Sequence, residues 1–250
     1  MEQDKWPKLR TVNKSVPAFF LNDFPKEFPV LLGRELIYIL ASKGEPEIDG
    51  TDWEQIFARS IGAEWQPSNV GLDDIVLGNT AWGAKSVKAP KPGNKKTVRL
   101  ISGRNSPVYS FGDTIDTSAD PAELGKHVLD IWNERVSFVR ERYKHVRTVV
   151  LIRSYDLSEV VVFEFDTIRY DSEVYRWEWN KNRNLIGIDK RSGEHKFTWQ
   201  PHGSQFTIIE DVPAKSLLIR IKQPQPLNKD QILFALGVDE TWINIKKRNG

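Results

Sequence analysis

The 250-residue sequence predicts a mixed α/β (α+β) fold, in which a mixed central sheet is flanked by helices and extended by a β-rich C-terminal part. Three observations predict it. Two stretches near residues 51–61 and 121–143 repeat apolar side chains at helical spacing. Residues 148–153 and 160–165 are nearly continuous apolar runs, the mark of strands buried on both faces. From Ile168 to Lys222, short alternating runs are broken by turn-forming clusters, which suits an antiparallel sheet.

The elements follow in order. Residues 1–30 are polar, carry Pro7, Pro17, Pro25 and Pro29, and read as an irregular arm. Pro29–Ala41 is apolar enough for a first helix. After a Gly/Pro/acid loop, Thr51 is expected to cap a second helix, with Glu54 three residues on in a capping box. Trp53, Ile56, Phe57 and Ile61 would form its buried stripe. Leu72–Ser86 reads as two strands joined by a Gly78-Asn79 turn, the first carrying Asp73 and Asp74 and the second Lys85. A Pro/Gly/Lys loop over 89–96 leads to a third strand, 97–102. Asp120-Pro121-Ala122-Glu123 then starts a long helix, with proline at its first position. Leu124, Val128, Ile131, Trp132, Arg135 and Val139 would form its inner face. The two buried strands, the antiparallel region and a short helix, 229–236, complete the chain. We read one domain: an arm and helix over 1–50, a core over 51–165, and the β-rich part over 166–250.

Composition narrows the function. Hydrophobic content of 39% and charged content of 28% are those of an ordinary globular chain. Without cysteine there is no disulfide framework, thiolate metal site or thiol nucleophile. No apolar run approaches the ~20 residues that span a bilayer, and the first ten residues are charged rather than leader-like. A cytoplasmic protein without membrane contact is expected. The four histidines lack ligand spacing, and neither a phosphate-binding glycine loop nor a G-x-S-x-G elbow occurs. The nine tryptophans are expected to pack the core.

Charge distribution says more than the net value of +2. No acid occurs between Asp74 and Asp113, whereas Lys85, Lys88, Lys91, Lys95, Lys96, Arg99 and Arg104 do. A patch of this kind fits a polyphosphate partner, above all nucleic acid. Asp74 and Lys85 on neighbouring strands would set a carboxylate for a divalent cation beside an ammonium for a phosphate. Lys91, Lys95 and Lys96, on a loop, suit phosphate contacts. Arg104 and Asn105, after a glycine, suit guanine and adenine edges, and Gln200, His202 and Gln205 sit at a hairpin tip where they would read bases or simply build the turn.

This order of residues resembles the PD-(D/E)xK nuclease superfamily, particularly type II restriction endonucleases. The resemblance covers roughly residues 51–165 and implies a restriction-endonuclease-like fold. It also implies Mg²⁺-dependent, sequence-specific hydrolysis of double-stranded DNA. Glu54 matches the helix glutamate, Asp74 the metal-holding aspartate and Lys85 the catalytic lysine, within Trp82-Gly83-Ala84-Lys85-Ser86. The departure is Gly83, which stands where the family has an acid. Glu54, Asp73, Glu123 or Glu134 would have to replace it, unless Asp74 serves alone. The backbone carbonyl of Ala84 remains available as a hard oxygen ligand, and Gly83 would leave space on the catalytic face. A register with Ser86-Val87-Lys88 makes Lys88 the alternative lysine. Symmetric cutting of two strands implies a homodimer. A DNA-binding protein with a degenerate nuclease fold, and a structure-directed repair nuclease, are the competing functions.

Overall fold

The computed structural model describes residues 15–112 and 120–246. Most of the predicted arm's first half, residues 1–14, therefore lies outside the described residues. Helices and two sheets combine in an α+β fold. The helices are α1 (Phe28–Lys43), α2 (Gly50–Ile61), α3 (Pro107–Phe111), α4 (Pro121–Arg142) and α5 (Lys229–Ala235). The strands are β1 (Glu64–Trp65), β2 (Ile75–Leu77), β3 (Thr80–Lys88), β4 (Thr97–Arg104), β5 (His145–Arg153), β6 (Glu159–Asp166), β7 (Tyr175–Trp179), β8 (Leu185–Asp189), β9 (His195–Gln200), β10 (Gln205–Asp211) and β11 (Leu217–Arg220).

The first sheet has the order β1-β2-β3-β5-β6-β11, antiparallel except for the central β3–β5 pair. That parallel pair needs a long crossover, and β4, α3 and α4 supply it. β5 is buried from Val146 to Arg153, as its unbroken apolar run predicts. One face of this sheet packs on α1 and α2 through Trp53, Ile56, Phe57, Trp82, Val149 and Val160. The other meets α4 and the second sheet.

The second sheet, β4-β10-β9-β8-β7, is antiparallel throughout. Here β4 does not join the sheet of its sequence neighbour β3. β4 follows β3 closely in sequence, yet it pairs with β10, Val98 opposite Glu210 and Arg104 opposite Gln205. Val98 and Leu100 of β4 then pack on Val150, Ile152 and Phe163 of the first sheet, so β4 bridges the two layers by its side chains. α4 fills the remaining gap, burying Leu124, Val128, Leu129, Trp132, Val136 and Val139 against both sheets. Its predicted inner-face members Ile131 and Arg135 are only half-buried and turn toward cavities.

The second helix also begins earlier than expected. Its N-cap is Asp49, whose carboxylate accepts from Asp52 N–H at 2.7 Å, while the Asp52 side chain accepts from Asp49 N–H at 3.1 Å. An aspartate caps as well as a threonine does, and this box leaves Glu54 free to leave the helix flank. The arm residues that are described, 15–27, hold no helix or strand. They are pinned by Glu164, which accepts from Asn22 N–H, from Trp82 Nε1 at 2.7 Å and from Arg147 at 2.8 Å.

Candidate active site

Three elements bring the carboxylates and the lysine together. β3 presents alternating faces. Trp82 and Ala84 enter the α1–α2 core, whereas Ala81, Gly83 and Lys85 face α4 and the second sheet. Asp73 and Asp74 are not on a strand, as the sequence had suggested, but in the loop just before β2. Asp74 is nevertheless fixed. Its carbonyl accepts from Gln66 N–H at 2.8 Å, extending the β1–β2 ladder, and its Oδ1 accepts from Ser68 N–H at 3.0 Å. On the same short strand β1, Trp65 donates its indole N–H to Glu54 Oε2 at 3.1 Å. The two-residue strand β1 is thus the link between the helix glutamate and the loop aspartate.

These groups feel one another. Burial raises the pKa of Asp74 above the ordinary 3.8; the Ser68 N–H opposes this, Glu54 and Asp73 push it further up, and Lys85 pulls it down. Burial lowers the pKa of Lys85 below 10.5, with Asp74 and Glu54 opposing and Arg135 reinforcing. Asp74, Glu54, Lys85 and Arg135 therefore share one electrostatic site. Buried Asp74, Lys85 and Arg135, each shifted by its surroundings and gathered in one place, mark this as the candidate functional site.

Beside them opens a cavity of about 480 Å³ lined by Asn69, Val70, Gly71, Lys85, Ser102, Gly103, Arg104 and Arg135. Its charged lining is all cationic. Arg135 was legible only as an arginine on an otherwise apolar helix face, and its role was missed. Its guanidinium donates to Ser102 O at 2.6 Å, to Asn105 Oδ1 at 3.3 Å and to Val70 O. It thereby ties the Asp74 loop to the end of β4. Gly103 makes room for it: φ is +112°, and a Cβ there would sit 2.7 Å from Arg135 Nη1.

Several expectations are corrected. Gly83 does not leave open space, because a Cβ at that position would lie 2.7 Å from Gly71 O and 3.1 Å from Leu72 Cα. The backbone of residues 71–72 occupies the place of the family's acid. Asp73 stays beside Asp74: its Oδ2 pairs with Arg142 at 2.6 Å, while its buried Oδ1 has no hydrogen-bond partner among the described residues. Glu123 is exposed on the first turn of α4, and Glu134 lines a different cavity with Phe111 and Phe138. Neither is among the charges acting on Asp74 or Lys85. Asn105 is no base reader. It is fully buried, giving its amide N–H to Val128 O at 2.9 Å and accepting from Arg135. Lys88 pairs with Glu47 at 2.7 Å and belongs to another surface.

The remaining candidates divide by position. Arg104 lines the cavity, and the hairpin of Gln200, His202 and Gln205 adjoins it, since Gln205 pairs with Arg104 and Ser204 O accepts from Asn105 N–H at 2.8 Å. Lys91, Lys95 and Lys96 are exposed on the loop beyond β3, whose 3-10 turn rests on β6 through Gly93 N–H to Glu159 at 3.0 Å. They do not line the cavity.

No family model, curated protein or solved structure matches this chain. Its chemistry has to be argued from the site.

Among the described residues no group of three or more acids and histidines is placed to hold a metal. The pair Asp74 and Glu54 still suits a hard cation. Each keeps one carboxylate oxygen with no hydrogen-bond partner among the described residues, and burial together with the Glu54 charge disfavours the bare charge of Asp74. Mg²⁺ is commonly held by one or two carboxylates, with waters and phosphate completing its shell. The donor set fits such an ion. Ala84, beyond the last β2 partner on β3, remains a backbone candidate.

Proposed function

We propose that this chain is a Mg²⁺-dependent endonuclease of double-stranded DNA, acting at specific sequences. The observation that carries the reading is the convergence of Asp74, Glu54 and Lys85 beside a cavity whose charged lining is Lys85, Arg104 and Arg135. Asp74 and Glu54 would hold the ion, with the Ala84 carbonyl as a further oxygen. When bound, Mg²⁺ supplies charge neutralisation at the phosphate and a more acidic water.

The chain's own groups do the rest. Protonated, Lys85 Nζ donates to the phosphoryl oxygen on which charge grows. In the alternative, with its pKa lowered by burial, the neutral amine would instead take the proton of the attacking water. Arg104, exposed at the cavity mouth, holds a neighbouring phosphate. Arg135 keeps the cavity walls in place through Val70 and Ser102. The Gln200–Gln205 hairpin stands where it would meet base edges.

One observation favours a second reading, a DNA-binding protein that does not cut: the place of the family's acid is filled by the 71–72 backbone. A plasmid digest with Mg²⁺ separates the two. Discrete fragments from the native chain, lost in Asp74→Ala while gel-shift binding persists, support the nuclease. Binding without cutting supports the second reading. Cutting by Asp74→Ala at the native rate overturns the assignment of the site.

A further inference from the structure

Asp74 is carried by residues 66–74, which form neither helix nor strand. A carboxylate on irregular backbone is placed less precisely than one on a strand, unless its surroundings lock it. Two bonds close the segment on itself: Asp74 O accepts from Gln66 N–H at 2.8 Å, and Asp74 Oδ1 accepts from Ser68 N–H at 3.0 Å.

Helix α4 ties the closed segment to the rest of the molecule. Arg135 holds its middle through Val70 O. At the far end of the helix, Arg142 Nη2 donates to Asp73 Oδ2 at 2.6 Å, and Tyr143 Oη accepts from Gln66 Nε2 at 2.9 Å. These two residues grip the segment near both its ends. One grip is beside Asp74, and the other is beside Trp65, the residue that holds Glu54.

The gripping side chains are themselves fixed. The Arg142 guanidinium lies 4.9 Å from the centre of the Phe138 ring and 5.6 Å from that of Tyr143. Tyr143 caps α4 through its N–H to Val139 O at 3.0 Å. Two residues later His145 opens β5, which pairs along its whole length with β3, the strand of Lys85. The α4–β5 joint is therefore a common reference for the lysine and the aspartate. Asp73 is only 1% exposed. A buried carboxylate deprived of its partner is drawn toward water, and Asp74 is the next residue.

We propose that Arg142 and Tyr143 are positioning residues, a latch that sets where Asp74 stands relative to Glu54 and Lys85. Neither lines the cavity, so each acts through Asp73 or Gln66. The role in cation binding rests on the nuclease reading, whereas the latch itself rests on these contacts.

Hydrogen exchange of the metal-free chain, followed by NMR, tests the latch. Tyr143→Phe keeps the ring beneath Arg142 and removes only the hydroxyl, Arg142→Ala removes the ion pair, and Arg142→Lys keeps its charge. The Gln66 and Ser68 amides should exchange roughly fivefold faster in the first two variants, with β5 amides at the native rate, and Arg142→Lys should restore much of the protection. Mn²⁺ affinity, read by electron paramagnetic resonance, tests the consequence. Tyr143→Phe and Gln66→Ala should each weaken it about 10-fold, and the double variant no further, because all three lose the same contact. Native exchange at both amides in Tyr143→Phe and Arg142→Ala overturns the latch. So does equal acceleration of the β5 amides, which marks a loss of global stability alone. Native Mn²⁺ affinity in Tyr143→Phe despite faster exchange overturns the positioning role. A native chain that binds no Mn²⁺, or binding that Asp74→Ala leaves unchanged, overturns the nuclease reading and with it the role given to Asp74, while the exchange rates still decide the latch.

Discussion

Asp74 and Asn105 show how a polar residue's surroundings decide its work. Asp74 has its pKa raised by burial and by Glu54, so the folded state binds its proton more tightly than the unfolded state does. Stability therefore falls as pH rises through the interval from 3.8 to that raised value, and the charged form is a cost at neutral pH. Asp74→Asn keeps an oxygen for Ser68 N–H and removes that cost. It should abolish cleavage, by at least about 100-fold, while the melting temperature holds or rises. A lower melting temperature would make Asp74 a structural residue. By the same sign, Mg²⁺ affinity should weaken as pH falls into that interval, which calorimetric titration would show. Asn105 is the reverse case. Asn105→Ala removes the amide that bridges Val128 O to Arg135 in a fully buried site, and should cost about 1–3 kcal/mol, read by urea denaturation, with no change in sequence preference.

At the scale of elements, the site depends on backbone approaches that side chains then lock. Gly83 on β3 lies against the 71–72 backbone, just before the Asp74 loop enters β2. Gly83→Ala must push that loop away, and overpacking of this kind costs about 1–3 kcal/mol. Cleavage should fall further than stability alone explains, because Asp74 rides on the displaced loop. Comparing turnover well below the melting temperature with the denaturation midpoint would separate the two effects. The Gly83 contact leaves no room for any side chain at this position, including the acid that the proposed family resemblance implies. In the proposed site Glu54, held by the indole N–H of Trp65 on β1, would supply the second carboxylate.

Over the whole molecule, the cationic run divides into surfaces with different duties. Lys85 and Arg104 line the cavity, Lys88 faces Glu47, and Lys91, Lys95 and Lys96 sit on the loop over β6. Arg104→Ala should weaken DNA binding and reduce the salt slope by about 1. Lys95→Ala/Lys96→Ala should leave cleavage of a short duplex intact and weaken binding only to longer DNA that reaches the loop. Fluorescence anisotropy against salt, with duplexes of two lengths, would measure both. Among the described residues no helix is long and apolar enough to cross a membrane.

The sequence by itself determined most of the elements, though not β1 or α3. Local chemistry specifies the apolar run of β5, the Asp120-Pro121 start of α4, the Gly78-Asn79 hairpin and the stripe of α2, and each is formed where the pattern puts it. It also placed an aspartate and a lysine on adjoining segments of one hairpin. Tertiary structure alone decided that β4 joins β10 a hundred residues away, that Asn105 is sealed under α4, and that Arg135 holds the cavity walls. The reason is physical. Periodicity and capping act over a few residues, whereas a strand's partner and a polar side chain's exposure follow from which distant surfaces bury together, and no local pattern encodes that.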